Sequence, residues 1–333
     1  MQRDLNGHAR KVLVAGGGGF LGSHLCQALL EGGSHVLCLD NFLTGTPENI
    51  RPLRSDPKFH LIEHDICEEL QPDENGFDEI YNLACAASPP RYQADPVHTM
   101  MTSVVGTKNL LELTERSGAT YLQASTSEIY GDPEEHPQRE TYRGSVNCTG
   151  PRACYDEGKR AAEALCFDFL RLGRADVRVA RIFNTYGPRM QPDDGRIISN
   201  LISQAIEGRA LTVYGTGEQT RSFCYVSDLI AGLIALMRVT KNPGGPVNLG
   251  NPGEFTINQL AHLVLRQIPT GSRIVYLPLP EDDPKRRCPD IGRAKALLGW
   301  EPKVPLEEGI EETIGWFRLN SDHRHSMLKA AQA

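Results

Sequence analysis

The chain has no apolar run approaching the roughly eighteen residues that a membrane-spanning helix needs, which predicts no membrane partner. Its opening, MQRDLNGHARK, lacks the apolar centre of a signal peptide, so the expected location is the cytoplasm. No CxxC pair occurs among its nine cysteines, which excludes the usual spacing of zinc ribbons and dithiol redox motifs. Their number is odd, and Cys26, Cys38, Cys85 and Cys166 sit in apolar runs, so buried reduced thiols are expected, with neither disulfides nor metal. An excess of positive charge is missing too. The net charge of −7 argues against general affinity for nucleic acid or anionic surfaces, so an anionic ligand would need local cations. Repeats and low-complexity linkers are absent. What is present is a globular balance: 333 residues, 40% hydrophobic and 23% charged, enough for a sizeable core and a second lobe.

The rest of the sequence is organised around residues 12–22, VLVAGGGGFLG, which read as strand, tight turn and helix. Gly16, Gly19 and Gly22 stand three apart. The first permits the turn, the second lets a ligand approach bare backbone, and the third lets the helix lie close to the sheet. Unpaired N–H groups at the helix start favour a pyrophosphate there. Eighteen residues beyond Gly22, after a second apolar run, comes Asp40. A carboxylate at the end of a second strand accepts both hydroxyls of an adenosine ribose and repels a 2′-phosphate, which favours NAD over NADP.

Further along, FHLIEHDI predicts a third strand ending at Asp65, and the pattern leaves open whether this acid meets an adenine amino group or solvent. FDEIYNLACAA predicts a fourth strand running into small residues, 96–116 a helix, and TYLQAST a fifth strand. VRVARIF, 177–183, is the expected sixth. This alternation predicts an α/β fold: a Rossmann-type, doubly wound parallel sheet covered on both faces, with ligands at the carboxyl ends of its strands. Beyond it, shorter elements predict a smaller C-terminal α/β substrate lobe. The expected division is 1–183 for the dinucleotide-binding domain with the catalytic helix, 184–320 mainly for the substrate lobe, and 321–333 as a flexible tail.

The fifth strand ends in Thr126, Ser127 and Glu128, and a later helix carries Tyr155 and Lys159. Four residues apart, these two share a helical face. The ammonium, together with an oxidised nicotinamide, is expected to lower the tyrosine pKa from about 10 toward neutrality and make it a general base for an alcohol. Thr126 would hold the same oxygen.

With GGGGFLGSHL, DNFLTG, LACAASPPRYQ, STSEIYGDP, CYDEGKR, RIFNTYGPRM, LTVYGTGEQTRSF and DDPKRRCPDI all in place, the sequence resembles the extended short-chain dehydrogenase/reductase superfamily. Within it, the chain is most similar to the UDP-glucuronate decarboxylases, also called UDP-xylose synthases. The resemblance implies a lyase with bound NAD that oxidises C4 of UDP-glucuronate, loses CO2 from the β-keto acid and reduces the ketone to give UDP-xylose. It implies catalytic roles for Thr126, Ser127, Glu128, Tyr155, Lys159 and Arg287. Cofactor contacts are implied for Gly16, Gly19, Phe20, Leu21, Gly22, Asp40, Asn41, Asp65, Ile66, Leu83 and Ala84, besides Tyr155 and Lys159. Substrate contacts are implied for Pro89, Asn184, Arg189, Asn200, Leu201, Val213, Tyr214, Arg221 and Arg287. A homodimer pairing helices near 98–117 and 153–171 is implied as well.

Ser127 stands where sugar 4,6-dehydratases of the same superfamily carry an aspartic acid that helps expel a hydroxyl, so serine suits a decarboxylase. Arg287 matches an arginine placed near the sugar carboxylate or the phosphates. The chain departs from the family pattern at Cys148, Thr149 and Pro151 before the catalytic helix, and at Cys288, where a basic residue is common. The competing expectations are a 4-epimerase or 4,6-dehydratase acting on another nucleotide sugar, and a non-catalytic dinucleotide-binding regulator.

Overall fold

A computed structural model describes residues 9–70, 76–279 and 286–331. Short apolar runs make β1 (Lys11–Ala15), β2 (His35–Asp40), β3 (Phe59–Glu63), β4 (Glu79–Asn82), β5 (Thr120–Thr126) and β6 (Asp176–Ile182). Between them run α1 (Phe20–Glu31), the short α2 (Pro47–Ile50) and α3 (Pro89–Ala94), then α4 (Pro96–Met101), α5 (Thr107–Ser117) and α6 (Ala153–Arg171). The chain then leaves for β7 (Thr185–Tyr186), α7 (Ile197–Ile206), β8 (Leu211–Tyr214), β9 (Thr220–Ser222), β10 (Cys224–Tyr225) and α8 (Val226–Met237) before β11 (Val247–Leu249) returns. One parallel sheet results, in the order β11-β6-β5-β4-β1-β2-β3. The strand order reverses between β1 and β4, so a crevice opens at their carboxyl ends.

Both faces of this sheet are covered, as alternate side chains of β1 show. Val12 and Val14 enter a core shared with α1 and α8, whereas Leu13 and Ala15 enter one shared with α5 and α6. Each such fully buried Val or Leu stabilises the fold by about 1.5–3 kcal/mol. The remaining elements are β12 (Glu254–Thr256), α9 (Ile257–Gln267), β13 (Ile274–Leu277), β14 (Arg286–Arg287), α10 (Gly292–Leu298) and α11 (Leu306–Ala331). They complete a lobe with the small sheets β13-β8 and β12-β9-β14, and β10 pairs with β7 in a third.

Several expectations need correction. Part of the chain after 184 returns to the main sheet, where β11 lies beside β6. β3 stops at Glu63, which leaves Asp65 in the following loop, where it accepts the Cys67 backbone N–H at 2.8 Å. The helix expected over 96–116 is interrupted by a π-helical turn, Thr102–Gly106. The Thr102 hydroxyl donates back to the His98 carbonyl at 2.8 Å, and a Cβ on Gly106 would stand 2.4 Å from Ile66 Cδ1. The tail expected from 321 is helical, since α11 continues to Ala331, and residues 332–333 lie outside the described residues. Cys26, Cys38 and Cys166 are buried free thiols, but Cys85 is only half-buried and lines the crevice. No helix among the described residues is long and apolar enough to cross a membrane.

Candidate active site

A cavity of about 630 Å³ occupies the carboxyl ends of the sheet and extends under the smaller C-terminal lobe. Its floor is the glycine turn. Gly16 has φ +78°, and a Cβ there would meet Leu83 C and Ala84 N at 2.8 Å. At Gly22 a Cβ would fall 2.0 Å from Gly16 O, so only glycine lets α1 start so close to the turn. The first turn of α1 has neither an acidic residue nor a side-chain cap at Gly19, which leaves its positive end to the cavity. Phe20, Leu21, Ile66, Leu83 and Ala84 line the same half.

Asp40 closes this half. Its carboxylate accepts Gly18 N–H at 2.8 Å and Phe42 N–H at 2.7 Å. Burial pushes its pKa up, and these N–H groups pull against that. Asp65 also borders the cavity, bound by Asn41 Nδ2 at 2.7 Å and by His98 Nε2 at 2.8 Å. Burial opposes its ionisation, but the Cys67 N–H, His98 and Asn41 outweigh it and lower the pKa.

The other half holds the residues expected to be catalytic. β5 delivers Thr126, whose hydroxyl accepts the Glu128 N–H at 3.2 Å at the start of a single 3-10 turn, Ser127–Tyr130. Gly131 closes that turn at φ +62°, where a Cβ would lie 1.8 Å from Ser145 O. On α6, Tyr155 and Lys159 are both buried. The Tyr155 ring stacks on Tyr92 at 5.1 Å and 4°, and Lys159 Nζ donates to the Ala124 carbonyl at 3.0 Å, 5.9 Å from the Tyr155 ring centre. The expected lowering of the Tyr155 pKa is not what the protein alone produces. Burial raises it, with Cys85 adding and the Thr126 hydroxyl opposing.

Glu128 is the electrostatic centre. Arg287 grips both its oxygens, Nη1 at 3.0 Å from Oε1 and Nη2 at 3.1 Å from Oε2, and Nη1 also donates to Ser127 Oγ at 3.2 Å. Arg152 donates to the same carboxylate. Burial alone would raise the Glu128 pKa, yet the guanidinium groups of Arg287, Arg152 and Arg221 lower it. Arg287 and Arg221 are register partners on the adjacent parallel strands β14 and β9, which sets the two guanidinium groups on one face of the small sheet.

Asp156 faces this cluster, buried, with Oδ1 lacking a hydrogen-bond partner. Burial first, then Glu128, push its pKa up to about 7, against Arg152 and Arg287. Between about pH 4 and 7 the folded protein therefore holds a proton that the unfolded chain has lost, and stability falls as pH rises through this window. Asp156→Asn is expected to flatten that fall in thermal unfolding midpoints taken between about pH 5 and 7.5. Glu128, shifted the other way, acts in a lower window, where its contribution is lost as pH falls.

Every expected catalytic and cofactor residue borders the one cavity, as do Pro89, Asn184, Arg189, Asn200, Tyr214 and Arg221. Leu201 and Val213 do not. Both are fully buried in the core, and their chain neighbours Asn200 and Tyr214 face the cavity instead. Arg189 bonds Gln27 of α1, which seats it on the glycine-turn side. Lys285, part of the basic run before Arg287, lies outside the described residues. Arg152, Asp156 and Tyr92 escaped sequence reasoning. Arg152 could have been suspected from its place three residues before Tyr155, on the turn that opens α6.

A model of the NAD dependent epimerase/dehydratase family matches residues 12–250, which takes in the seven-stranded sheet apart from Lys11 at the start of β1. The chain belongs to this family, and its cofactor is NAD. Within it, the chain is closely related to the UDP-glucuronic acid decarboxylases. It is 52% identical to UDP-glucuronic acid decarboxylase 1 of Xenopus tropicalis over 95% of this chain and 74% of that one. Identity to UDP-glucuronic acid decarboxylase 1 of Arabidopsis thaliana is also 52%, over 94% and 71%. Among solved structures, UDP-glucuronic acid 4-epimerase from Bacillus cereus, in complex with UDP-glucuronic acid and NAD, superposes with a TM-score of 0.84 at 30% identity, over 93% and 99% of the two chains. The glycine cradle, the uncapped start of α1 and Asp40 fit this cofactor.

Proposed function

We propose that the protein is an NAD-dependent lyase that converts UDP-glucuronate to UDP-xylose and CO2. The observation that carries this reading is the set of three arginines, Arg152, Arg221 and Arg287, around Glu128 at one end of a cavity whose other end fits a dinucleotide. In a chain of net charge −7, so local a concentration of guanidinium groups suits an acidic sugar on a diphosphate.

Bound NAD supplies the hydride acceptor and later donor for C4, and when oxidised a positive ring that opposes the effect of burial on Tyr155. Tyr155 takes the proton of the 4-hydroxyl while Thr126 holds that oxygen. The ketone at C4 is β to the carboxylate, so the C5–C6 bond breaks, CO2 leaves, and the electron pair passes into a C4–C5 enolate. Protonation at C5, then reduction of the C4 ketone with return of the Tyr155 proton to O4, complete the pentose. Arg287 positions the acidic sugar, and Glu128, held ionised by the arginines, orients the sugar or moves the C5 proton. Incubation with UDP-glucuronate and NAD is expected to yield a pentose nucleotide identifiable by NMR. A six-carbon C4 epimer as the only product would identify an epimerase instead, and no reaction on any nucleotide sugar would favour a regulator.

Asp40 is assigned to the adenosine ribose. The protein is expected to bind NAD more tightly than NADP by about tenfold or more, and Asp40→Ala to narrow the gap. Equal affinities in fluorescence titrations of the unmodified protein would remove this role.

A homodimer is proposed through α4, α5 and α6. Val97 and Met101 are exposed on α4, and Leu165, Phe167 and Leu170 are half-buried on α6, which packs against α4. So much apolar surface along neighbouring helices suits a second copy. Light scattering at micromolar concentration is expected to give twice the mass of the chain and, for Met101→Glu, a shift toward the monomer. A monomeric unmodified protein would contradict the dimer.

A further inference from the structure

Three side chains far apart in sequence converge behind the arginine cluster. His136 lies in the loop that follows Glu128, Glu254 opens β12, and Cys288 follows Arg287 directly. Their donor atoms all lie within 4.8 Å of one another. His136 Nε2 is 2.9 Å from Glu254 Oε2, and the buried Cys288 thiol donates to the Pro252 carbonyl at 3.4 Å. An imidazole, a carboxylate and a thiol form a mixed nitrogen, oxygen and sulfur set. That set suits a borderline-soft divalent ion with tetrahedral preference better than calcium or magnesium, which take oxygen alone.

We propose that His136, Glu254 and Cys288 form a zinc-binding site. On binding, the Cys288 thiol gives up its proton to solvent, and three protein ligands leave a fourth position for water. The surroundings are already braced for such a site. Gln138, buried two residues beyond His136, donates its N–H to the Cys288 carbonyl and accepts the Cys288 N–H on its side chain, both at 2.9 Å. Thr220 Oγ1 donates to the other Glu254 oxygen at 2.6 Å, which fixes that carboxylate from β9.

The site has a bearing on the cavity because each ligand's segment either carries one of its charged groups or pairs with a strand that does. The loop of His136 continues the turn of Glu128, β12 pairs with the strand of Arg221, and Cys288 adjoins Arg287. Zinc there would clamp these three segments to one another.

Cobalt(II), which replaces zinc with the same geometry, reports thiolate ligation by a near-ultraviolet charge-transfer band. Titration of the full-length protein with NAD bound is expected to develop this band with one equivalent of cobalt(II) and to lose it on addition of zinc. C288S is expected to abolish the band, and H136Q, a change at a more exposed residue that leaves the thiol in place, to weaken cobalt affinity at least about tenfold. C67S is expected to leave the band intact, because Cys67 belongs to a separate group with Asp65 and His98 beside the cofactor half of the cavity. Absence of the band, its persistence in C288S, unchanged affinity in H136Q, or its loss in C67S would each overturn the proposal.

Discussion

Replacing Tyr155 by Phe is expected to lower turnover by about 10²-fold or more while the fold and NAD affinity persist. The change removes one oxygen and little else. The ring stays stacked between Tyr92 and the body of α6, and Lys159 keeps its bond to the Ala124 carbonyl. What is lost is the phenolic oxygen proposed to take the C4 hydroxyl proton beside Thr126. A hundredfold loss corresponds to about 2.7 kcal/mol of transition-state stabilisation. Steady-state CO2 release, read beside NAD fluorescence titration, separates the two effects. Turnover like that of the unmodified protein would remove Tyr155 from the mechanism.

Arg287→Ala is expected to retain NAD affinity but lose CO2 release by at least about 10²-fold. Arg287 is 2% exposed and bonds both oxygens of Glu128, so its removal strips the bidentate partner from that buried carboxylate and leaves the glycine turn untouched. Arg287→Lys should recover only part, because a point charge cannot replace a two-pronged donor. Single-turnover absorbance shows which step fails. NADH that accumulates without CO2 places Arg287 in decarboxylation, and loss of both signals places it in binding. Normal CO2 release from Arg287→Ala would contradict the assignment and turn attention to Arg152 or Arg286.

The sheet was legible because its strands are continuous apolar runs separated by glycine turns and amphipathic helices, and TYLQAST matches β5 residue for residue. The cradle was legible because steric demand is written in residue type, as at Gly16 and Gly22. The small sheet that pairs Arg221 with Arg287 was not. Strands of two and three residues carry no period, and a run of basic residues reads as a solvated face until a partner strand buries it. Leu201 and Val213 were misplaced for a related reason: one step along a helix or strand turns a side chain from cavity to core. The direction of the Tyr155 shift needed burial, which spacing does not convey. The thiol of Cys288 could not be matched to His136 and Glu254 by spacing, since only the fold brings residues 136, 254 and 288 together.

The most direct measurement uses UDP-glucuronate carrying isotope only in its C6 carboxylate, incubated with the protein and NAD. The proposed reaction predicts that the label leaves as CO2 in step with the appearance of an unlabelled pentose nucleotide. Label that remains in the nucleotide after the substrate has been consumed would contradict decarboxylation.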